Sequence, residues 1–304
     1  MSSAQRHPPL SVWFGTAAII AVLLVFLASE ERIPALARHT TSASAANLNL
    51  DRLESPVAAS GIRIVALGSS KTLYAVDFDA RFAERLATTW QRPVQFHRIT
   101  WEGANFWDVQ PALLALAEHP PDILLLESDL LLLDRGAHFP IRQNLLPLEK
   151  ALHELLAGQP EVDHNYGENR GAEQFPSTQE CSVRQTETQR LIYAAHLNTT
   201  RPSSPLSRQR YLAMLGALRR AGTRIVLIRL PRAVWAETLV PASLQRIDSV
   251  VLPQLARDNG FQLWTVAPLP DAAFCDEGHM TALGRDLYSQ WLAGKLLAVR
   301  GTDG

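Results

Sequence analysis

The sequence predicts an α/β fold, a three-layer α/β/α sandwich whose central parallel sheet lies between helices. Short runs rich in Ile, Leu and Val, each bounded by Gly, Pro or Asp, are typical of strands covered on both faces. Helical patterns separate these runs, and strands that alternate with helices form parallel sheets. The predicted strands are residues 62–67, 123–126, 224–230 and 261–266, with a less regular run at 94–101 as a fifth.

The predicted helices place apolar residues three and four positions apart, so that each buries one face. They cover residues 78–90, 107–118, 206–221, 233–258 and 281–299. The stretch from 134 to about 187 breaks the alternation, because it holds one helical pattern near 146–156 and then turns polar and irregular. We interpret this stretch as an insertion over the edge of the sheet.

An uncharged apolar segment, residues 10–29, precedes the α/β part. As a helix it would span roughly 30 Å, the hydrocarbon thickness of a bilayer. The alternative is a cleaved signal peptide, whose apolar region is usually shorter and ends at a small-x-small site that is not found where this segment ends. The sequence therefore predicts a tail (1–9), an anchor in the inner membrane (10–29), an Ala-, Ser- and Thr-rich linker (30–60) and a domain (61–300).

The overall composition excludes some classes of function. Hydrophobic residues make up 47% and charged residues 19% of the chain, as in globular proteins. The net charge of −1 provides no basic surface for nucleic acid. The histidines of the domain lack the spacing of metal ligands, so neither a metal site nor another cofactor is expected.

The first motif that can carry chemistry is Gly68-Ser69-Ser70, directly after the first strand. Glycine permits a tight turn there, and the serines then lie at the carboxyl end of the strand, where the active sites of parallel sheets gather. A nearby backbone N–H could face a developing oxyanion. Alone, this motif also fits an ordinary turn.

The second motif is Asp276-Glu277-Gly278-His279, just before the last helix. A serine nucleophile needs a base, and the base needs a group that orients it. A carboxylate three residues before a histidine can hold Nδ1 of the ring and leave Nε2 free for the serine. Alone, this spacing also fits a solvated helix cap.

Together and in this order, the two motifs resemble those of the SGNH (GDSL-like) hydrolases. That family has Gly-x-Ser after the first strand and Asp-x-x-His before a final helix. The resemblance covers about residues 61–297 without the insertion, and it implies a flavodoxin-like fold. It also implies serine esterase or acyltransferase chemistry, with Ser70 as nucleophile, His279 as general base and Asp276 as the group that orients His279.

The resemblance also implies an oxyanion hole that includes the backbone N–H of Ser70. The family has a glycine after the second strand, and Gly103 matches it, although Gly103 also fits an ordinary turn. The family has Gly-x-Asn-Asp after the third strand, whereas this chain has Leu-Glu-Ser-Asp at 126–129. Ser128 therefore stands in place of the asparagine donor, and Asn105 is a second candidate for that role.

Two cysteines, Cys181 and Cys275, are the only ones in the chain. Outside the cytoplasm a single pair often forms a disulfide, and here it would tie the insertion to the loop of Asp276. Two separate buried thiols are the alternative.

Two functional hypotheses follow. The first is an ester hydrolase or O-acyl (acetyl) transferase that acts on a cell-envelope or exported polysaccharide from a periplasmic, membrane-anchored domain. The second is a catalytically degenerate domain that serves as an anchored binding or assembly subunit with envelope protein partners, which the altered segment 126–129 favours. A lipase acting on membrane lipid is a third alternative. The anchored, extracytoplasmic location comes mainly from the resemblance, because such SGNH proteins often have Gly-Ser-Ser as their first block.

Overall fold

Five parallel strands form one sheet at the centre of the domain, in the order β2-β1-β3-β6-β7. The computed structural model describes residues 10–27, 53, 56–58, 60–101, 104, 106–135 and 187–300. Every residue of β1 and of β3 is buried, as expected for strands covered on both faces. The strands are β1 (Ile62–Ser69), β2 (Val94–Trp101), β3 (Ile123–Glu127), β6 (Arg224–Arg229) and β7 (Gln262–Thr265).

Helices connect the strands and supply the outer layers. The predicted α/β fold with a parallel sheet is therefore confirmed, and all five predicted strands are found, each within two residues of its expected limits. The helices of this part are α2 (Ser70–Ala75), α3 (Asp79–Trp90), α4 (Phe106–Glu118), α5 (Ser128–Leu132), α6 (Glu187–Thr199), α7 (Pro205–Arg220), α8 (Val234–Glu237), α9 (Ala242–Arg246), α10 (Leu252–Asn259) and α11 (Ala282–Arg300).

The single helix predicted over 233–258 is wrong. The chain forms α8, then α9, then a π-helical turn at Ile247–Val251 and finally α10. Pro241 precedes α9, and a proline has no N–H to continue a helix through that point. The π-helical turn carries Asp248, whose carboxylate pairs with Arg229, the last residue of β6, and with Arg232 just after it.

A two-stranded antiparallel sheet and three helices, the short α2 and α5 and the longer α6, were not predicted from the sequence. Strands β4 (Leu133–Arg135) and β5 (Thr200–Pro202) pair in antiparallel fashion, and α6 leads into β5. Of the insertion predicted at about 134–187, residues 136–186 lie outside the described residues. Strands β4 and β5, which lie before and after this long connection, thus pair with each other close to the end of β3.

The N-terminal part contains helix α1 (Leu10–Leu27), which falls within the predicted anchor. Among the described residues, no helix is both long and apolar enough to cross a membrane. The anchor at 10–29 stays a prediction.

The packed core begins earlier than residue 61. Leu53, inside the predicted linker, is only 1% exposed and belongs to the hydrophobic core. The Gln95 amide donates to the carbonyl oxygen of Pro56 at 3.0 Å, which fixes this segment along β2. The end of the predicted linker is therefore part of the domain.

Arg98 on β2 holds the end of α2, the helix that starts with Ser70. Its guanidinium pairs with Asp79 at 2.6 Å and donates to the carbonyl oxygens of Leu73 and Val76 at 2.9 and 2.8 Å. The Arg98 side chain is 1% exposed, so these bonds replace water that the folded protein excludes.

We expect Arg98→Met to lower the free energy of unfolding by about 3–5 kcal/mol, because it leaves Asp79 and two carbonyl groups without their buried partner. Urea unfolding of the full-length protein followed by circular dichroism measures this difference. Arg257→Met, at an exposed site on α10, is the control and should change stability by less than about 0.5 kcal/mol. Equal effects of the two substitutions would contradict the role given to Arg98.

Candidate active site

A sharp turn at residues 68–71, called the serine turn below, joins β1 to α2. Ser69 ends the strand, and its hydroxyl accepts a hydrogen bond from the N–H of Lys71 at 3.2 Å, which caps α2. Ser70 is the first residue of the helix. A side chain at Gly68 would collide with Thr72 and come within 2.8 Å of the Glu127 carboxylate, so only glycine fits at the start of this turn.

The carboxylate of Glu127 supports the serine turn from the end of β3. It accepts the Ser69 N–H at 2.7 Å, the Ser69 hydroxyl at 2.8 Å and the Thr72 hydroxyl at 2.7 Å. Glu127 is 2% exposed, and its charge is satisfied by these donors and not by water. Burial of such a carboxylate is favourable only with several hydrogen bonds of this kind. Glu127 therefore fixes the direction in which the turn presents Ser70.

A second loop, residues 275–280 and called the histidine loop below, precedes α11. The Oδ1 atom of Asp276 accepts the N–H groups of Gly278 and His279 at 2.9 and 2.8 Å. The N–H of Cys275 donates to the carbonyl oxygen of His279 at 2.7 Å and closes the loop at its base. One carboxylate oxygen thus shapes the backbone, which leaves the other free for the imidazole.

The two loops bring Ser70, His279 and Asp276 together. Asp276 Oδ2 lies 2.6 Å from His279 Nδ1, and His279 Nε2 lies 2.8 Å from Ser70 Oγ. The side chains of His279 and Asp276 are 30% and 28% exposed, so the group opens to solvent. The ring of Tyr74 packs edge-on against the imidazole at 5.1 Å and limits its rotation. This geometry is that of a serine, its base and the orienter of the base.

The electrostatics of the group suit a general base. Burial lowers the pKa of His279, but the hydrogen bond and charge of Asp276 more than offset it, so this pKa is raised. Burial raises the pKa of Asp276, and its bonds to His279 and Gly278 more than reverse that effect, so it stays ionised. With Asp276 holding the proton at Nδ1, Nε2 is the atom that can accept the proton of Ser70.

Besides Ser70, three residues were predicted for the oxyanion hole, and the structure describes one of them. Gly103 and Asn105 lie outside the described residues. Ser128 is the first residue of α5 and is buried, with only 1% of its surface exposed. The oxyanion role of these residues and of the Ser70 N–H stays a prediction.

Cys275 at the base of the histidine loop is disulfide-bonded. Cys181, the other cysteine of the chain, lies outside the described residues. Among the described residues, no group of histidines, cysteines and carboxylates could hold a metal ion.

Glu127 and Asp129 were not selected from the sequence. The signal was present in the segment 126–129, where two carboxylates flank Ser128 at the end of a fully apolar strand. Glu127 binds Ser69, and Asp129 binds Lys71 at 3.1 Å, so each carboxylate contacts a neighbour of Ser70. The segment 126–129 differs from the family pattern, and its two carboxylates bind the serine turn.

We expect Glu127→Gln to slow fluorophosphonate labelling of the full-length protein roughly 10²-fold, because a shifted serine turn misplaces Ser70. An amide offers one acceptor oxygen in place of two, so stability should also fall by about 1–3 kcal/mol. Glu118→Gln at an exposed position makes the same chemical change and should alter neither quantity. An unchanged labelling rate in Glu127→Gln would show that the turn does not need this support.

A pH profile reports on the Asp276–His279 pair. Only neutral His279 can accept a proton, so kcat/KM should rise with pH and reach half of its plateau above 6.5, the ordinary histidine pKa. Asp276→Asn keeps an oxygen for the loop but removes the charge that raises the pKa of His279. The midpoint should then move to lower pH while the plateau falls by on the order of 10⁴-fold. A midpoint that stays in place would exclude His279 as the titrating base.

Comparison with known proteins gave matches among solved structures. No family model matches the sequence, and no curated protein does either. One similar structure is a protein assigned to the G-D-S-L lipolytic family, from Desulfitobacterium hafniense, with 11% identity and a TM-score of 0.38 over 76% of this chain and 98% of that chain. Two others are the psychrotrophic esterase EstA from Pseudoalteromonas sp. (11%, TM-score 0.36, 78% and 98%) and a lipase/acylhydrolase from Enterococcus faecalis (12%, TM-score 0.35, 77% and 95%).

The assignment of the site rests on the contacts of this chain itself. Its sheet is parallel, the serine follows the first strand, and the aspartate and histidine precede the last helix. In fold and in the placement of Ser70, Asp276 and His279, the chain has the architecture that its resemblance to the SGNH hydrolases implies.

Proposed function

We propose that this protein is a serine-dependent ester hydrolase of the SGNH type. The observation that carries the proposal is the continuous chain of hydrogen bonds from Asp276 through His279 to Ser70, with distances of 2.6 and 2.8 Å. Residues 209 positions apart form the second bond, and its geometry fits proton transfer from the hydroxyl to the ring. The partial solvent exposure of the pair gives a substrate access to it.

The reaction proceeds in two halves. His279 Nε2 takes the Ser70 proton as Oγ attacks the ester carbonyl carbon, and the carbonyl π electrons move to oxygen. The oxyanion collapses, the bond to the alcohol breaks, and His279 gives its proton to the departing alkoxide. In the second half His279 deprotonates water, whose oxygen attacks the acyl-serine carbonyl carbon. The second oxyanion collapses, the bond to Oγ breaks, His279 returns its proton to Ser70 Oγ, and the carboxylic acid leaves. Asp276 stays ionised throughout and stabilises the imidazolium.

The proposal also covers the acyl acceptor and the location of the protein in the cell. A sugar hydroxyl in place of water would make the same site an O-acyltransferase, and we propose acetyl groups of a cell-envelope or exported polysaccharide as its substrate. The uncharged segment 10–29 supports attachment to the inner membrane. The disulfide of Cys275 supports an oxidising compartment such as the periplasm. Envelope proteins are the partners that this location suggests.

One observation favours the alternative of a catalytically degenerate binding subunit. The asparagine donor of the family is absent, and Ser128 in its place is buried. Loss of one oxyanion donor typically slows catalysis by on the order of 10²–10³-fold. The hydrogen-bonded state of Ser70, His279 and Asp276 favours the hydrolase instead, since a binding subunit has no need for it.

We expect the full-length protein to react with a fluorophosphonate probe and to hydrolyse 4-nitrophenyl acetate, and Ser70→Ala to lose both activities. The physical reason is that the hydroxyl removed is the one bonded to His279. Gel fluorescence measures the labelling, and absorbance of released nitrophenolate measures turnover.

Ser249→Ala, an exposed hydroxyl on the π-helical turn, is the matched control and should keep full activity. A folded wild-type protein that neither reacts with the probe nor hydrolyses the ester would contradict the hydrolase and favour the binding subunit. Residual labelling in Ser70→Ala equal to wild type would assign the reaction to another residue.

A further inference from the structure

Lys71 follows Ser70 directly as the last residue of the serine turn, and its side chain extends toward the histidine loop. Its ammonium group is 3.1 Å from Asp129, the residue that follows Ser128 at the end of β3. Its aliphatic stem lies against Gly278, where an added Cβ would be 3.2 Å from Lys71 Cε. A side chain at residue 278 would therefore press on this stem, which lies beside the histidine loop. Lys71 thus lies next to the loop along its stem and pairs through its charge with Asp129 at the start of α5.

Arg232 completes the connection from the other side. Its guanidinium is 3.8 Å from Asp129 and 3.0 Å from Asp248, and only 7% of its side chain is exposed. Arg229 also pairs with Asp248, at 2.9 Å. Arg232 thus has carboxylate partners on two elements, and little of its own side chain is open to water.

The segment that carries Arg232 is bonded to the histidine loop as well. The N–H of Ala233, the next residue, donates to the carbonyl oxygen of Glu277 at 3.0 Å. The contacts therefore close a ring from Lys71 to Asp129, Arg232, Ala233 N–H, the 277–278 backbone and back to Lys71. This ring, called the clamp below, links the segments that follow β1, β3 and β6 to the histidine loop, which carries His279.

We propose that Lys71, held by Asp129, which in turn pairs with Arg232, is a positioning residue that fixes the histidine loop against the rest of the serine turn and so keeps His279 in reach of Ser70. The proposal rests on the hydrolase function proposed above for its effect on rate. Its structural part, the influence of Lys71 on His279, does not depend on catalysis.

The charge of Lys71 has a second effect on the same histidine. Burial lowers the pKa of Lys71, but Asp129 and Glu127 more than offset this, so the pKa is raised and the side chain stays a cation. The charged and titratable groups that face His279 are Asp276 and Glu277 from its own loop, and Lys71 and Tyr74 from α2. Of these, Lys71 lowers the pKa of His279 while the two carboxylates raise it. Lys71 thereby favours the neutral imidazole that a general base requires.

The test compares Lys71→Met, which keeps an apolar stem but no charge, with Lys71→Arg, which keeps the charge. Two quantities are measured on the full-length protein: the titration of His279 by NMR with labelled histidine, and the rate of fluorophosphonate labelling. We expect Lys71→Met to raise the pKa of His279 and to slow labelling roughly 10- to 100-fold. Lys71→Arg should restore both toward wild type.

Asp129→Asn keeps Lys71 but removes its anchor, and it should slow labelling in the same range. Asp122→Asn is the matched control, because Asp122 accepts the Arg63 N–H at 2.7 Å at the opposite end of β3. It should leave both the titration of His279 and the labelling rate unchanged.

Each outcome decides one claim. If the wild-type protein labels and Lys71→Met changes neither quantity, the clamp is overturned while the hydrolase stands. If the wild-type protein does not label but Lys71→Met still raises the pKa of His279, the hydrolase is overturned while the link between Lys71 and His279 stands. A loss in Lys71→Arg equal to that in Lys71→Met would also overturn the clamp, because the cation would then be irrelevant.

Discussion

The structure of the site depends on one buried carboxylate. Glu127 accepts three hydrogen bonds from Ser69 and Thr72, on either side of Ser70, and it does so at the end of the strand next to β1. A carboxylate in the interior is stable only when its oxygens are bonded in this way. The same constraint explains the absence of a side chain at residue 68, since any Cβ there would collide with Thr72 and approach Glu127. The exposed hydroxyl of Ser70 is thus held by contacts that are themselves buried.

The parallel sheet explains how residues from both ends of the domain meet. The carboxyl ends of parallel strands lie on one edge, and the serine turn, the 127–129 segment and the Arg229–Arg232 segment follow β1, β3 and β6 at that edge. The histidine loop follows β7, an edge strand that is not a neighbour of β1 in the sheet. The hydrogen bond from the Ala233 N–H to the Glu277 carbonyl oxygen ties this loop to the segment after β6, and the ion pairs of Asp129 tie that segment to Lys71 beside Ser70.

Much of the fold could be predicted from sequence because buried strands and amphipathic helices leave strong patterns. The runs that form β1, β3 and β6 are rich in Ile, Leu and Val. Ser70, Asp276 and His279 lie just beyond such runs or just before the last helical pattern, where the sequence marks the ends of elements. Local patterns do not show tertiary pairing, so Glu127 and Asp129 looked only like a departure from the family sequence, although they bind the neighbours of Ser70. Helical periodicity likewise continued through 233–258, whereas the helix is interrupted before Pro241 and has a π-helical turn around Asp248, whose partners are Arg229 and Arg232. These ion pairs join residues that are distant in the sequence, and no local pattern predicts them.

The central claim is that the Ser70 hydroxyl is the nucleophile, selected over Ser69 by the way the turn is held. The most direct measurement is peptide mass spectrometry of the full-length protein after reaction with a fluorophosphonate, with fragmentation that separates the two adjacent serines. Our account predicts one phosphonyl adduct per chain, on Ser70, because Ser69 donates its hydroxyl to Glu127 and faces the interior. An adduct on Ser69 or on a residue outside the serine turn, or no adduct on folded protein, would contradict it.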